Sequence, residues 1–187
     1  AKETNSVNTI YSVEGKLIGH NTDIAGFELS IRHCKYNANK KKVMIIGAGG
    51  VVPSIIVALK RMNVEKIFIK NRTKNNALDL KKKFSEINLI DWNDTIDVDM
   101  VINATSIGLK KGEKLDIDLK KFGENKFFYD VIYNPKETNF LYEARKMGNL
   151  TENGKMMFIY QAHQAFSVWH KIFPVIDDEV IRIVEND

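Results

Sequence analysis

Lys42-Val43-Met44-Ile45-Ile46-Gly47-Ala48-Gly49-Gly50 constrains this chain more than any other stretch. Val43 to Ile46 is an apolar, β-branched run of the kind found in central strands of parallel sheets, buried on both faces. After the glycines, apolar residues return at helical spacing, and Val52, Ile55, Ile56 and Leu59 form one face. Pro53 falls in the first turn of that helix, where its missing N–H does no harm. Strand, glycine turn and helix in this order make a phosphate cradle. Gly47 allows the tight turn, Gly49 lets the backbone approach a pyrophosphate, and the helix N-terminus offers unpaired N–H groups. Val52 stands where the fingerprint has its third small residue, so a slightly wider helix–strand spacing is expected. The competing possibility is a glycine turn without a ligand.

The rest of the chain keeps the same alternation. Strands are expected at 67–70, 87–90, 99–103 and 126–132, and a helix from Glu137 to Met147 ends on Gly148, a C-cap signal. Strands alternating with helices through right-handed crossovers give an α/β Rossmann-like doubly wound parallel sheet. Ahead of it, 7–11 and 16–19 read as short strands around Val13-Glu14-Gly15, and a helix runs from Asp23 to about Cys34. C-terminal helices are expected at Met156–His170 and Asp177–Val184. Met62, Met100, Met147 and Phe166 read as core.

The segment Asn71-Arg72-Thr73 decides the cofactor. In such a unit the second strand usually ends in an acid that holds a ribose hydroxyl. An acid would repel a 2′-phosphate, whereas the planar fork of Arg72 suits phosphate oxygens. Asn71 and Thr73 add hydrogen bonds and Lys74 adds charge, so NADP is expected rather than NAD. The alternative is a solvated surface arginine. Net charge is +4 and the Lys runs 40–42 and 81–83 carry much of it. No aromatics interleave with them, so they read as solvated surface and not as a nucleic-acid interface. No apolar run approaches the roughly 20 residues of a membrane span. No leader opens the chain, and the single cysteine, Cys34, forbids an internal disulfide, which points to the cytoplasm. The histidines show no metal spacing.

Seven blocks together resemble the shikimate dehydrogenase family: VNT at 7–9, NTDIAGF at 21–27, GAGG at 47–50, NRT at 71–73, INATSIGL at 102–109, DVIYNPKET at 130–138 and YQAHQAF at 160–166. The resemblance implies NADPH-dependent reduction of 3-dehydroshikimate to shikimate, with the substrate a small molecule. It matches Asp23 to the family's catalytic carboxylate, and Asn8, Thr22, Tyr133 and Gln161 to residues near the substrate. It places Asn103, Ala104 and Thr105 beside the cofactor, with Gly47, Ala48, Gly49, Gly50, Asn71, Arg72 and Thr73. Taken alone, Asp23 before a helix reads rather as an N-cap, Gln161, at the opening of the C-terminal helix, as solvent-facing and Tyr133 as core.

Two departures from the family pattern shape the expectations. The family has a substrate domain ahead of VNT, bearing a serine pair and a catalytic Lys. The six residues from Lys2 to Val7 are too few for it. Residues 1–24 are therefore expected to be a remnant of the substrate domain, 25–155 the NADP-binding domain, and 156–187 helices that return to the substrate domain. Such a chain binds cofactor better than it turns over substrate. Second, Met156 stands where the family commonly has glycine near the nicotinamide, and a side chain there would crowd the ring. A non-catalytic nucleotide-binding module is the alternative function. Glutamyl-tRNA reductase is a weaker one, because Cys34 has no visible activating partner. Oligomeric state is open at this level.

Overall fold

The computed structural model describes residues 1–110 and 112–186. A hairpin of β1 (Thr9–Val13) and β2 (Lys16–His20) leads into helix α1 (Asp23–His33). Then follow β3 (Lys42–Ile46), α2 (Val52–Arg61), β4 (Lys66–Lys70), α3 (Lys74–Lys83) and β5 (Asn88–Ile90). The second half adds β6 (Met100–Asn103), a 3-10 turn (Leu119–Phe122), β7 (Phe127–Asp130), α4 (Asn139–Lys146) and β8 (Leu150–Glu152). Helices α5 (Lys155–His170) and α6 (Asp178–Asn186) close it.

The sheet is parallel throughout, in the order β5-β4-β3-β6-β7-β8. The chain works outward from β3 in one direction, then returns to the other side of β3 to build the second half. That reversal leaves a crevice between β3 and β6 at their carboxyl ends, where doubly wound sheets hold ligands.

Alternate residues of each strand face two cores. Val43, Ile45, Ile67, Ile69, Met100, Ile102 and Tyr129 pack against α1, α2, α3 and α5. Met44, Ile46, Val101 and Phe128 face Leu119, Phe122 and the α4 residues Phe140, Leu141 and Ala144. The apolar face expected for α2 is fully buried.

Several expectations need correction. The first hairpin strand runs to Val13 and the second to His20. The last long strand stops at Asp130 instead of 132, because Asp130 turns into a hydrogen-bonded corner described below. Phe166 is not core: it is 41% exposed, on the outer side of α5. Met100 is buried, while Met62 and Met147 pack from the edges.

Candidate functional site

The loops after β3, β4, β6 and β7 leave the same sheet edge in register. Gly47 N–H donates to the Lys70 carbonyl at 2.9 Å, Ala104 N–H to Ile46 at 2.8 Å, and Val131 N–H to Asn103 at 3.0 Å. Gly47 has φ +119°, and a Cβ there would sit 2.7 Å from the Ala104 carbonyl oxygen. Only glycine therefore fits the turn where the two loops touch. Gly49 and Gly50 behave differently: a Cβ on Gly50 would meet nothing within 4 Å, and on Gly49 only the Ala104 oxygen at 3.9 Å. Helix α2 starts with no side-chain cap and no acid in its first turn. An open glycine turn on an uncapped positive helix end fits a pyrophosphate. Val52 is fully buried and itself fills the helix–strand contact expected of a smaller residue.

Beside this turn, the Asn71 side chain donates to the Thr73 carbonyl at 2.7 Å. That bond curls Asn71-Arg72-Thr73 into the start of α3 and leaves Arg72 exposed. Lys70, at the end of β4, is 1% exposed and donates its ammonium to the Asp94 carbonyl. Burial pulls its pKa down, partly offset by Asp94. Sequence reasoning passed over Lys70 because lysine is ordinarily a surface residue.

On the other side of the crevice, Asn103 accepts from Thr105 N–H at 3.1 Å and Thr105 Oγ1 at 2.7 Å. Its amide nitrogen donates to both oxygens of Asp130 at 3.1 Å. Asp130 also accepts from Ile132 N–H at 3.0 Å and Thr138 Oγ1 at 2.6 Å. Asp130 and Thr138 were not singled out from sequence, although both lie inside the DVIYNPKET block. Tyr133 is 38% exposed, so it is not core, and it stacks on Phe158 of α5 at 4.6 Å.

Burial pushes the Asp130 carboxyl from 3.8 up to about 6, and the bonds from Thr138, Ile132 and Asn103 hold it down only partly. The folded protein therefore keeps a proton that the unfolded chain releases. This contribution to stability is full below pH 3.8 and is lost as pH rises through about 6. Between pH 4 and pH 7 the stability of wild type relative to Asp130→Asn should fall by roughly 2.5 kcal/mol. Urea unfolding of both proteins at the two pH values measures it, and a difference that stays flat refutes it.

The remaining residues gather at the start of α1. Asn8 Nδ2 lies 2.8 Å from Asp23 Oδ1, 3.0 Å from Thr22 Oγ1 and 3.4 Å from Gln161 Oε1. Asn8 Oδ1 accepts from Thr22 N–H at 2.9 Å. One exposed amide thus joins the hairpin, α1 and α5. Gly26 permits it, since a Cβ there would lie 2.9 Å from the Met157 carbonyl and 3.0 Å from Gln161 Cβ. Gln161 lies well inside α5 and does not open it.

The cap reading of Asp23 does not hold. Thr22 occupies the cap position, but its side chain makes no capping bond to the helix, and Asn21 Oδ1 accepts from Ile24 N–H at 3.2 Å. The buried Asn21 also donates to Ser54 Oγ of α2 at 3.0 Å, tying this corner to the glycine-turn helix. Asp23 is therefore released from capping and faces Asn8. Burial raises its pKa and the Asn8 bond opposes that rise. A half-buried carboxyl in this state is suited to proton exchange with a hydroxyl. Met156 is 3% exposed, so its side chain is packed inward and does not stand open at the surface.

The family model for "Shikimate / quinate 5-dehydrogenase" matches residues 28–135. The shikimate dehydrogenase (NADP(+)) of Pelagibacter ubique (strain HTCC1062) is 56% identical over 185 residues, covering 99% of this chain and 70% of that protein. The enzyme of the same name from Caldicellulosiruptor saccharolyticus is 36% identical, over 97% of this chain and 68% of that one. Among solved structures, shikimate 5-dehydrogenase from Thermus thermophilus, in complex with NADP(H) and shikimate, superposes with a TM-score of 0.87. Its sequence is 27% identical, and the match covers 99% of this chain and 69% of that one.

Proposed function

This chain belongs to the shikimate and quinate 5-dehydrogenase family, and from that premise we propose which residues carry its chemistry. It is an NADP-dependent oxidoreductase of the shikimate dehydrogenase type, and the reaction is reduction of 3-dehydroshikimate to shikimate. Residues 25–155 form the cofactor-binding unit. Gly47, Ala48, Gly49 and Gly50 hold the pyrophosphate through backbone N–H groups, and Arg72, with Asn71 and Thr73, holds the 2′-phosphate. Asn103, Ala104 and Thr105 line the nicotinamide end. Bound NADPH supplies the hydride. Asn8, Thr22, Tyr133 and Gln161 orient the substrate hydroxyls, and Asp23 shares a proton with the reacting oxygen. A cytoplasmic location agrees with the lone free Cys34. Among the described residues no helix is long and apolar enough to cross a membrane.

The observation that carries this assignment is the Asn8 amide, which draws Thr22, Asp23 and Gln161 into one polar cluster. Isothermal titration with NADPH and NADH tests the cofactor half. Arg72→Ala should weaken NADPH by roughly 10- to 100-fold, the range expected for lost charge-assisted bonds, and leave NADH nearly unchanged. Equal losses for both nucleotides would remove Arg72 from the 2′-phosphate site.

A further inference from the structure

Asp130 is fully buried and lies at the point where two loops of the crevice leave the sheet. On one side it takes the Asn103 amide, whose carbonyl oxygen holds Thr105. Asn103 Nδ2 also donates to the Ile107 carbonyl at 3.2 Å, and Thr105 Oγ1 accepts from Ile107 N–H at 3.1 Å. The loop after β6 is thereby folded around one side chain. On the other side Asp130 takes Ile132 N–H and the Thr138 hydroxyl, which bracket the loop that carries Tyr133. Thr138 packs its methyl 3.1 Å from where a Cβ on Gly108 would sit, so it touches both loops. It also caps α4 by accepting from Leu141 N–H at 3.4 Å.

We propose that Asp130 is a positioning residue that locks the loop after β6 and the loop after β7 into a single wall at the nicotinamide end of the crevice, with the Thr138 hydroxyl closing the lock. This rests on the NADP assignment above and extends it to residues that touch neither cofactor nor substrate. A buried carboxylate that accepts from every side ties donors together tightly, because any donor left unpaired there is penalised heavily. Opening the lock shifts Thr105 and Tyr133 together. It acts least on the far end, since Arg72 hangs from β4 and Gly47, not Gly49 or Gly50, is the glycine packed closely on the loop after β6.

The test uses two ligands that share the adenosine end, NADPH and 2′,5′-ADP, titrated calorimetrically into wild type, Thr138→Val and Thr138→Ser. Valine keeps the methyl and removes the hydroxyl; serine restores it. The expected result is a loss of roughly tenfold in NADPH affinity for Thr138→Val, with 2′,5′-ADP changed by less than about twofold and NADPH binding restored in Thr138→Ser. Loss of the α4 cap alone would lower the melting temperature without separating the two ligands. The proposal is overturned if NADPH affinity is unchanged, if both ligands weaken equally, or if serine fails to rescue. Wild type that binds neither ligand would overturn the NADP assignment, and the lock with it.

Discussion

In an enzyme that also carries the family's substrate domain, replacing Asp23 by Asn should lower turnover of 3-dehydroshikimate by about 10²- to 10⁴-fold, the usual contribution of a positioned proton-transfer group. The dissociation constant for NADPH should stay within about twofold, since the residues proposed to hold it lie on other loops. The substitution keeps size and keeps one oxygen for the Asn8 amide, now 2.8 Å from Asp23 Oδ1. It removes the capacity to take and return a proton, together with the carboxylate charge. Helix α1 keeps its start, because Asn21 and not Asp23 satisfies the Ile24 amide. Steady-state rates and melting curves on the same preparations separate the effects. Unchanged turnover would strip Asp23 of its catalytic assignment.

A Gly154→Ala variant should be among the least stable single substitutions in the molecule. Gly154 begins α5, and a Cβ there would lie 2.1 Å from the Val131 carbonyl oxygen and 2.6 Å from its carbon. Both neighbours are backbone, so no side-chain rotation relieves the overlap. Either the end of β7 or the start of α5 has to move. Gly154 N–H also donates to the Ile132 carbonyl at 3.1 Å, and its own carbonyl takes Phe158 N–H at 2.9 Å. Overpacking normally costs about 1–3 kcal/mol, and a clash confined to backbone belongs at or above the upper end. For a chain of this size that is a melting temperature lower by roughly 10 °C. Displacing α5 would also carry Gln161 away from Asn8. A variant that melts within about 2 °C of wild type would contradict the close approach.

The strand, glycine turn and helix from Lys42 to Arg61 were largely legible in the sequence because their signals are local. Val43–Ile46, the glycines and the α2 face lie within one continuous stretch, and each reads by periodicity or by conformational need. Helix α3 is harder to see, because only Ala77 and Leu80 of its residues are buried. The edge strand β8 is three residues long with no apolar run, and it is set by pairing with β7. Phe166 misled because α5 carries apolar residues around most of its circumference, so composition does not say which side faces in. The polar cluster was named only through family resemblance. Nothing local to Asn8 or Gln161 announces a shared hydrogen bond. Asp130 escaped notice for a similar reason, since its partners come from β6, from its own loop and from the start of α4.

The Asn8–Gln161 contact spans 153 positions of sequence, which sets an order of events during synthesis. The residues of the Gly47–Gly50 turn and Arg72 leave the ribosome with β3, α2 and β4, and Ala104, on which Gly47 packs, follows with β6. The cluster around Asn8 has no Gln161 until α5 follows, seconds later at typical elongation rates. A nascent chain therefore presents the residues proposed for the nucleotide before it can complete the cluster proposed for the substrate.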